Sequence, residues 1–158
     1  MQGDITYIPT QTGWLYLAVV IDLYSRQVVG WSMANHMRTS LVNDALTMAL
    51  FKRKPNEGLL YHTDRGSQYA SKSHRAILKD NAIVQSMSRR GNCWDNAVVE
   101  SFFHTLKVEL VHHNRFSNQQ EAKQQIFEYI EAFYNRLRLH CANGYLSPCD
   151  FEALRESA

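Results

Sequence analysis

Followed from its N-terminus, the chain switches between two hydrophobic periods, and the switches mark its elements. Asp4, Thr6 and Ile8 share one side of a short strand, Ile5 to Ile8, by the two-residue period. After a turn at Gln11-Thr12-Gly13, the run Trp14 to Ile21 (WLYLAVVI) is continuously apolar and of strand length. Its aromatic and β-branched content predicts a strand buried on both faces. A turn over Asp22 to Arg26 leads into a third strand, Gln27 to Met33. Turns this short between three strands imply an antiparallel meander. From Ser40 to Arg53 the period becomes helical, with Leu41, Ala45, Met48 and Ala49 on one stripe and Thr39 or Ser40 as the cap. Pro55-Asn-Glu-Gly58 ends that helix before an apolar strand closing at Asp64.

The second half is dominated by helical spacing. Ser71 to Asp80 predicts a helix and Ile83 to Gln85 a short strand. A basic, Gly-containing loop (Arg89, Arg90, Gly91, Asn92) then enters a helix whose start is marked by Asp95 and Asn96, side chains suited to free backbone N–H groups and the positive helix end. Val99, Phe102, Phe103, Leu106 and Leu110 form its inward stripe. A final amphipathic helix is expected from about Asn118 to Leu139, with Ala122, Ile126, Ile130, Phe133 and Leu137 inward. Three antiparallel strands followed by helix–strand units that need parallel crossovers predict a mixed α/β sheet covered by helices.

Composition narrows the class. At 158 residues the chain suits one domain with a substantial core, and its 45% hydrophobic content argues against disorder. No uncharged apolar run approaches the roughly 18 residues of a membrane span, and no signal peptide is visible, so no membrane partner is expected. Cys93, Cys141 and Cys149 lack CxxC spacing and suit free thiols in a reducing cytoplasm. The net charge of +2 is small, but the segment from Arg65 to Arg90 carries six basic residues against one acid. Such a local basic surface attracts a phosphate backbone.

The isolated acids carry the chemistry. Asp4 opens the first strand, Asp64 ends the fourth before Arg65-Gly66-Ser67, and Glu100 lies on the later helix with His104 and Lys107 on the same face. Glu100 and Lys107 are two turns apart, about 10 Å along the axis. Converging carboxylates suit Mg²⁺, which prefers hard oxygen ligands, and two such ions activate the attacking oxygen and stabilise the leaving one in an in-line displacement. Asp22 rivals Asp4 but falls where Asp-Leu-Tyr-Ser-Arg makes a turn; Asp95 has a helix-start role, and Glu109 points away from the Glu100–Lys107 face. Asn135, Arg136, Arg138 and His140 give a polar, basic segment at the end of the last helix.

Four stretches together resemble a known family: Asp4-Ile-Thr-Tyr-Ile8, His62-Thr-Asp-Arg-Gly-Ser-Gln-Tyr69, Ser88 through Phe102, and Tyr134-Asn-Arg-Leu-Arg-Leu-His140 with Ser147-Pro148. In order and spacing they look like the catalytic core of insertion-sequence transposases in the retroviral-integrase (DDE) superfamily. The resemblance implies a ribonuclease-H-like fold, a mixed five-stranded sheet with three antiparallel then two parallel strands flanked by helices, the first strand central beside the fourth. It implies that Asp4, Asp64 and Glu100 are catalytic and bind two Mg²⁺ ions, with Mn²⁺ able to substitute. It further implies a DNA transposase or integrase core that hydrolyses a phosphodiester and transfers the freed 3′-hydroxyl.

The same resemblance makes Lys107 a DNA-binding residue; Arg65, Arg89, Arg90, His104, Arg136 and Arg138 are the other candidates. Transposon ends and target DNA are the expected partners, with no small-molecule substrate, a homo-oligomer when active and a place in the bacterial cytoplasm with the nucleoid. Members of the family commonly carry a tryptophan three residues before the first aspartate, where this chain has Met1, and an upstream helix-turn-helix region, which this chain lacks. Residues 1–158 are therefore expected to be the catalytic core domain alone. A ribonuclease-H-like nuclease that only hydrolyses, and a truncated non-catalytic DNA-binding or dimerisation remnant, stay open as alternatives.

Overall fold

A computed structural model describes residues 1–88 and 96–156. Strands β1 (Gln2–Thr10), β2 (Gly13–Ile21) and β3 (Val28–Ala34) form the meander, followed by α1 (Thr39–Arg53) and β4 (Leu60–Thr63). Helices α2 (Ser67–Ala70) and α3 (Lys72–Asp80), strand β5 (Val84–Met87) and helices α4 (Ala97–Glu109), α5 (Gln119–Glu128) and α6 (Pro148–Glu156) complete the order. The sheet runs β3-β2-β1-β4-β5, antiparallel through β1 and parallel from β1 to β5. β1 is thus central and lies beside β4, as the expected fold requires.

The sheet separates two cores. Leu15, Leu17, Val19 and Ile21 of β2 pack with Val99, Phe102 and Leu106 of α4 and Ala122 and Ile126 of α5. The alternate residues Ala18 and Val20 pack with Leu41, Ala45 and Ala49 of α1 and with Tyr61, Tyr69 and Leu78. β2 is therefore buried on both faces, the reason its sequence is apolar without alternation.

Tertiary contacts correct several local expectations. Residue Arg38 stands at the N-cap of α1, and its side chain makes no capping hydrogen bond, so neither Thr39 nor Ser40 caps that helix. Met48 is exposed; Leu46 and Leu50 fill the stripe with Leu41, Ala45 and Ala49. β5 begins one residue later than expected, and α2 and α6 were not anticipated. The final helix does not reach Leu139. After Glu128 it passes into a π-helical stretch, Tyr129–Tyr134, in which the Asn135 N–H reaches Ile130 O at 3.1 Å. Widening the turn shifts the helical phase of every later residue, so Tyr134 and Asn135 are buried while Phe133 and Leu137 face outward. Among the described residues no helix is long and apolar enough to cross a membrane.

Candidate active site

Gln2 pairs with His62 in parallel register at the one point where β1 and β4 meet as a ladder. Two residues further along each chain stand Asp4 and Asp64, so the register brings both acids to the same level at the C-terminal end of β4. Both line a cleft of about 520 Å³.

Each carboxylate is anchored by its own backbone. Asp4 Oδ1 accepts the Ile5 N–H at 2.8 Å, and Asp64 Oδ1 accepts the Gly66 N–H at 2.7 Å. A Cβ on Gly66 would lie 2.9 Å from that same Asp64 oxygen, so a larger residue would push the carboxylate out of this position. Gly3 has a similar reason: the Tyr61 hydroxyl packs where its Cβ would be, seating the phenol against β1 beside Asp4. Burial pushes the Tyr61 phenol well above its ordinary range, and the charges of Asp4 and Asp64 push it further. The ring near both acids is therefore neutral and uncharged.

Glu100 comes from the opposite layer, one residue past Val99 on the exposed side of α4. Its charge is nevertheless felt at Asp4. Burial raises the Asp4 carboxyl to about 6, the Ile5 N–H opposes that rise, and the charges of Asp64 and then Glu100 add to it. Three acids from β1, the β4 loop and α4 thus form one electrostatic group. Among the described residues they do not close into a ready-made cage of three or more metal-ligating side chains. Their chemistry still fits a hard divalent cation, because all donors are carboxylate oxygens and a cation offsets both the burial and the neighbouring charges that disfavour ionised Asp4.

α4 is held in place by a residue the sequence did not single out. The expected N-terminal caps were Asp95 and Asn96; Asp95 lies outside the described residues, and the Asn96 side chain makes no capping bond. Instead Gln2 Oε1 accepts the Val99 N–H at 3.1 Å, and Gln2 Nε2 donates to Asn96 Oδ1 at 3.3 Å. A glutamine next to Met1 carries no sequence signal for this task, since the partner N–H is supplied by a helix in the second half of the chain.

The basic candidates separate. The Lys107 ammonium sits 5.3 Å from the centre of the Tyr7 ring, on the same strand as Asp4. Arg65 Nε donates to Ser88 O at 2.8 Å, tying the loop after Asp64 to the end of β5. His104 and Arg136 are exposed. Arg138 Nε donates to both Glu109 carboxylate oxygens, at 2.9 and 2.8 Å, so its charge is already matched. Arg89 and Arg90 lie outside the described residues. Asp22 accepts the N–H groups of Tyr24 at 2.8 Å and Ser25 at 3.2 Å, which shapes the β2–β3 turn.

Comparison with known proteins adds independent findings. A family profile described as "Integrase core domain" matches residues 1–93, and a second of the same description matches residues 100–155. The chain is 51% identical over 150 residues to the transposase for insertion sequence element IS904 of Lactococcus lactis subsp. lactis (strain IL1403), covering 95% of this chain and 59% of that protein. It is 53% identical over 150 residues to transposase InsF for insertion sequence IS3A of Escherichia coli (strain K12), covering 95% and 52%. The chain spans about half the length of the curated relatives it matches.

Among solved structures, the fold resembles the HTLV-2 integrase catalytic core domain in complex with magnesium (trimeric form), with a TM-score of 0.70 at 17% identity over 95% of this chain and 93% of that one. It also resembles a chain of the simian T-cell lymphotropic virus intasome in complex with PP2A regulatory subunit B56 gamma, with a TM-score of 0.76 at 21% identity over 95% and 52%. The fold is that of the ribonuclease-H-like integrase cores. By sequence and by fold, this chain belongs to the integrase core domain family, alongside the insertion-sequence transposases.

Proposed function

We propose that residues 1–158 are the catalytic core of a DNA transposase that cleaves one phosphodiester by hydrolysis and joins the product to another. The observation that carries this reading is that Asp4 and Asp64, far apart in sequence, line one cleft, and that the charges of Asp64 and Glu100 both reach Asp4. The magnesium named with the HTLV-2 integrase core supports the choice of cation.

Asp4, Asp64 and Glu100 would hold Mg²⁺, as two ions, with Mn²⁺ able to replace it. When bound, the cation lowers the pKa of an attacking hydroxyl and neutralises charge that develops on the leaving oxygen. The chain's own residues supply the rest. The Ile5 and Gly66 N–H groups fix one oxygen of each aspartate, and the buried, neutral Tyr61 phenol packs against Gly3, next to Asp4. Lys107, on the same face as Glu100, gives the DNA backbone an ammonium beside β1, and Arg65 and His104 extend that contact. In the first reaction water forms a bond to phosphorus, and the broken P–O bond frees a 3′-hydroxyl. In the second, that hydroxyl bonds to the phosphorus of a target strand and displaces the neighbouring 3′-oxygen. Both are in-line displacements, and no covalent intermediate with the enzyme is needed. The core is proposed to act on transposon ends and target DNA as a homo-oligomer.

The test uses Asp64→Asn and Glu100→Gln, each of which removes an anionic ligand with almost no change in volume. Both variants should keep the wild-type circular dichroism spectrum and lose Mn²⁺-dependent nicking and joining of labelled duplexes. Asp22→Asn should retain activity. Wild-type nicking by a folded Asp64→Asn protein would remove the assignment, and nicking without joining would reduce the function to hydrolysis.

A further inference from the structure

The cleft that holds Asp4 and Asp64 continues along the sheet onto a surface of aromatic side chains. Tyr7 pairs with Tyr16 and Pro9 with Trp14 across the β1–β2 hairpin, so Tyr7, Tyr16 and Trp14 stand on one face of the sheet. It is the face covered by α1, because Ala18 and Val20, further along the same side of β2, are buried against that helix. At the hairpin end the cover is incomplete: Tyr7 is 54% and Trp14 50% exposed. The two rings meet edge to face at 5.1 Å and an interplanar angle of 85°. Single exposed aromatics are ordinary, but a contiguous apolar patch leading into a group of acids is a binding surface.

Three features say what it binds. Its wall is aromatic, so it favours a flat π-faced group over an aliphatic one. Its polar fittings are the Gln68 amide, oriented by donation to Met37 O at 2.8 Å, and the Lys107 ammonium over the Tyr7 ring. Its far end is the pair Asp4 and Asp64, where the phosphodiester of the proposed reaction must lie. A ligand that is flat, carries hydrogen-bonding edges and is covalently attached to that phosphodiester is a nucleobase. A base inside an intact duplex has both faces stacked and cannot enter. We propose that the face formed by Tyr7, Trp14 and Tyr16 receives an unpaired nucleobase next to the phosphodiester held at Asp4 and Asp64. The inference rests on the proposed function for the position of that phosphodiester, and deepens it: the DNA bound for chemistry is opened beside the cut. Opening is easiest where the base is already frayed, mismatched or single-stranded.

The experiment measures binding in Ca²⁺, a hard divalent cation that takes carboxylate oxygen ligands, and reads quenching rather than cleavage. Oligonucleotides carrying 2-aminopurine are offered as a single strand, as a duplex with a frayed end and as a fully paired duplex of the same sequence. The single strand and frayed end should bind with strong quenching of 2-aminopurine, and the paired duplex should bind more weakly with little quenching. Tyr7→Ala or Trp14→Ala should weaken single-strand binding about tenfold and abolish the quenching, while Tyr7→Phe and Trp14→Phe retain both. Equal binding of all three DNAs by the wild type, or unchanged quenching in the folded alanine variants, overturns the proposal. Asp64→Asn separates the two readings. If it loses nicking while quenching persists, both stand. If it keeps nicking, the catalytic assignment fails; if it loses nicking and the wild type shows no quenching, only the base site fails.

Discussion

Gln2 Oε1 accepts the backbone N–H of Val99 at 3.1 Å, joining the strand that carries Asp4 to the helix that carries Glu100. The donor is one of the first-turn N–H groups that a helix cannot satisfy internally. Gln2→Leu removes the acceptor in a buried place, which should cost about 1–3 kcal/mol of stability. Because the bond sits one residue from Glu100, nicking activity should fall further than stability at temperatures where the variant is fully folded. Urea melts beside Mn²⁺-dependent nicking decide the point: a variant as stable and active as wild type would mean that α4 is positioned by its apolar stripe alone.

Cation binding should be visible in folding. Burial raises the Asp4 carboxyl to about 6, and the charges of Asp64 and Glu100 add to that rise, so a cation bound among them would favour the charged form of Asp4. A ligand that binds only the native state stabilises it in proportion to the logarithm of its concentration over Kd. Millimolar Mg²⁺ or Mn²⁺ should therefore raise the Tm of the wild type at neutral pH, and raise that of Asp64→Asn by less. Equal shifts in calorimetric scans of the two proteins would put the cation elsewhere.

His74 should give the fold an acid-sensitive element. It is fully buried, between the rings of Tyr61 and Tyr69, with Nδ1 2.9 Å from Asn43 Oδ1. Burial pushes its imidazole down to about 4, against about 6.5 in an unfolded chain. Between those values the unfolded chain binds more protons, so this contribution is complete above about pH 6.5 and lost as pH falls through 4. Asp4, with a raised pKa, acts in the opposite direction over part of that window. The comparison that isolates His74 is therefore wild type against His74→Gln, in denaturant melts from pH 7 to pH 4. The variant should lose less stability over that range, and parallel curves would refute the account.

Asn135 serves as a side-chain strand partner. Its Oδ1 accepts the Val28 N–H at 2.9 Å and its Nδ2 donates to Val28 O at 3.0 Å, in a fully buried place at the start of β3. Asn135→Leu leaves both backbone groups unpaired, a loss of about 3 kcal/mol. For a chain of this size that corresponds to a Tm lower by about 6–12 °C. A drop below about 2 °C would mean that water replaces the amide at little cost.

The amino-acid sequence by itself determined the layered architecture and the location of the acids. Eight continuous apolar residues from Trp14 to Ile21 have no polar face to expose, so they demand a strand covered on both sides, and β2 is one. The stripe Val99, Phe102, Phe103 and Leu106 turns α4 inward and leaves Glu100 outward, because helical periodicity alone sets which residues share a face. Register, phase and pairing belong to the tertiary structure. Asp4 and Asp64 meet through the pairing of Gln2 with His62, a contact between distant segments that no local pattern encodes. The π-helical stretch at Tyr129–Tyr134 turns Phe133 and Leu137 outward, because one widened turn shifts every later residue while leaving the composition unchanged. Along the chain Gln2 carries no signal, and Asn135 and Arg138 read as part of a polar, basic segment suited to DNA. Their partners Val99, Val28 and Glu109 come from other elements, and only folding brings a donor and its acceptor within 3 Å or so of each other.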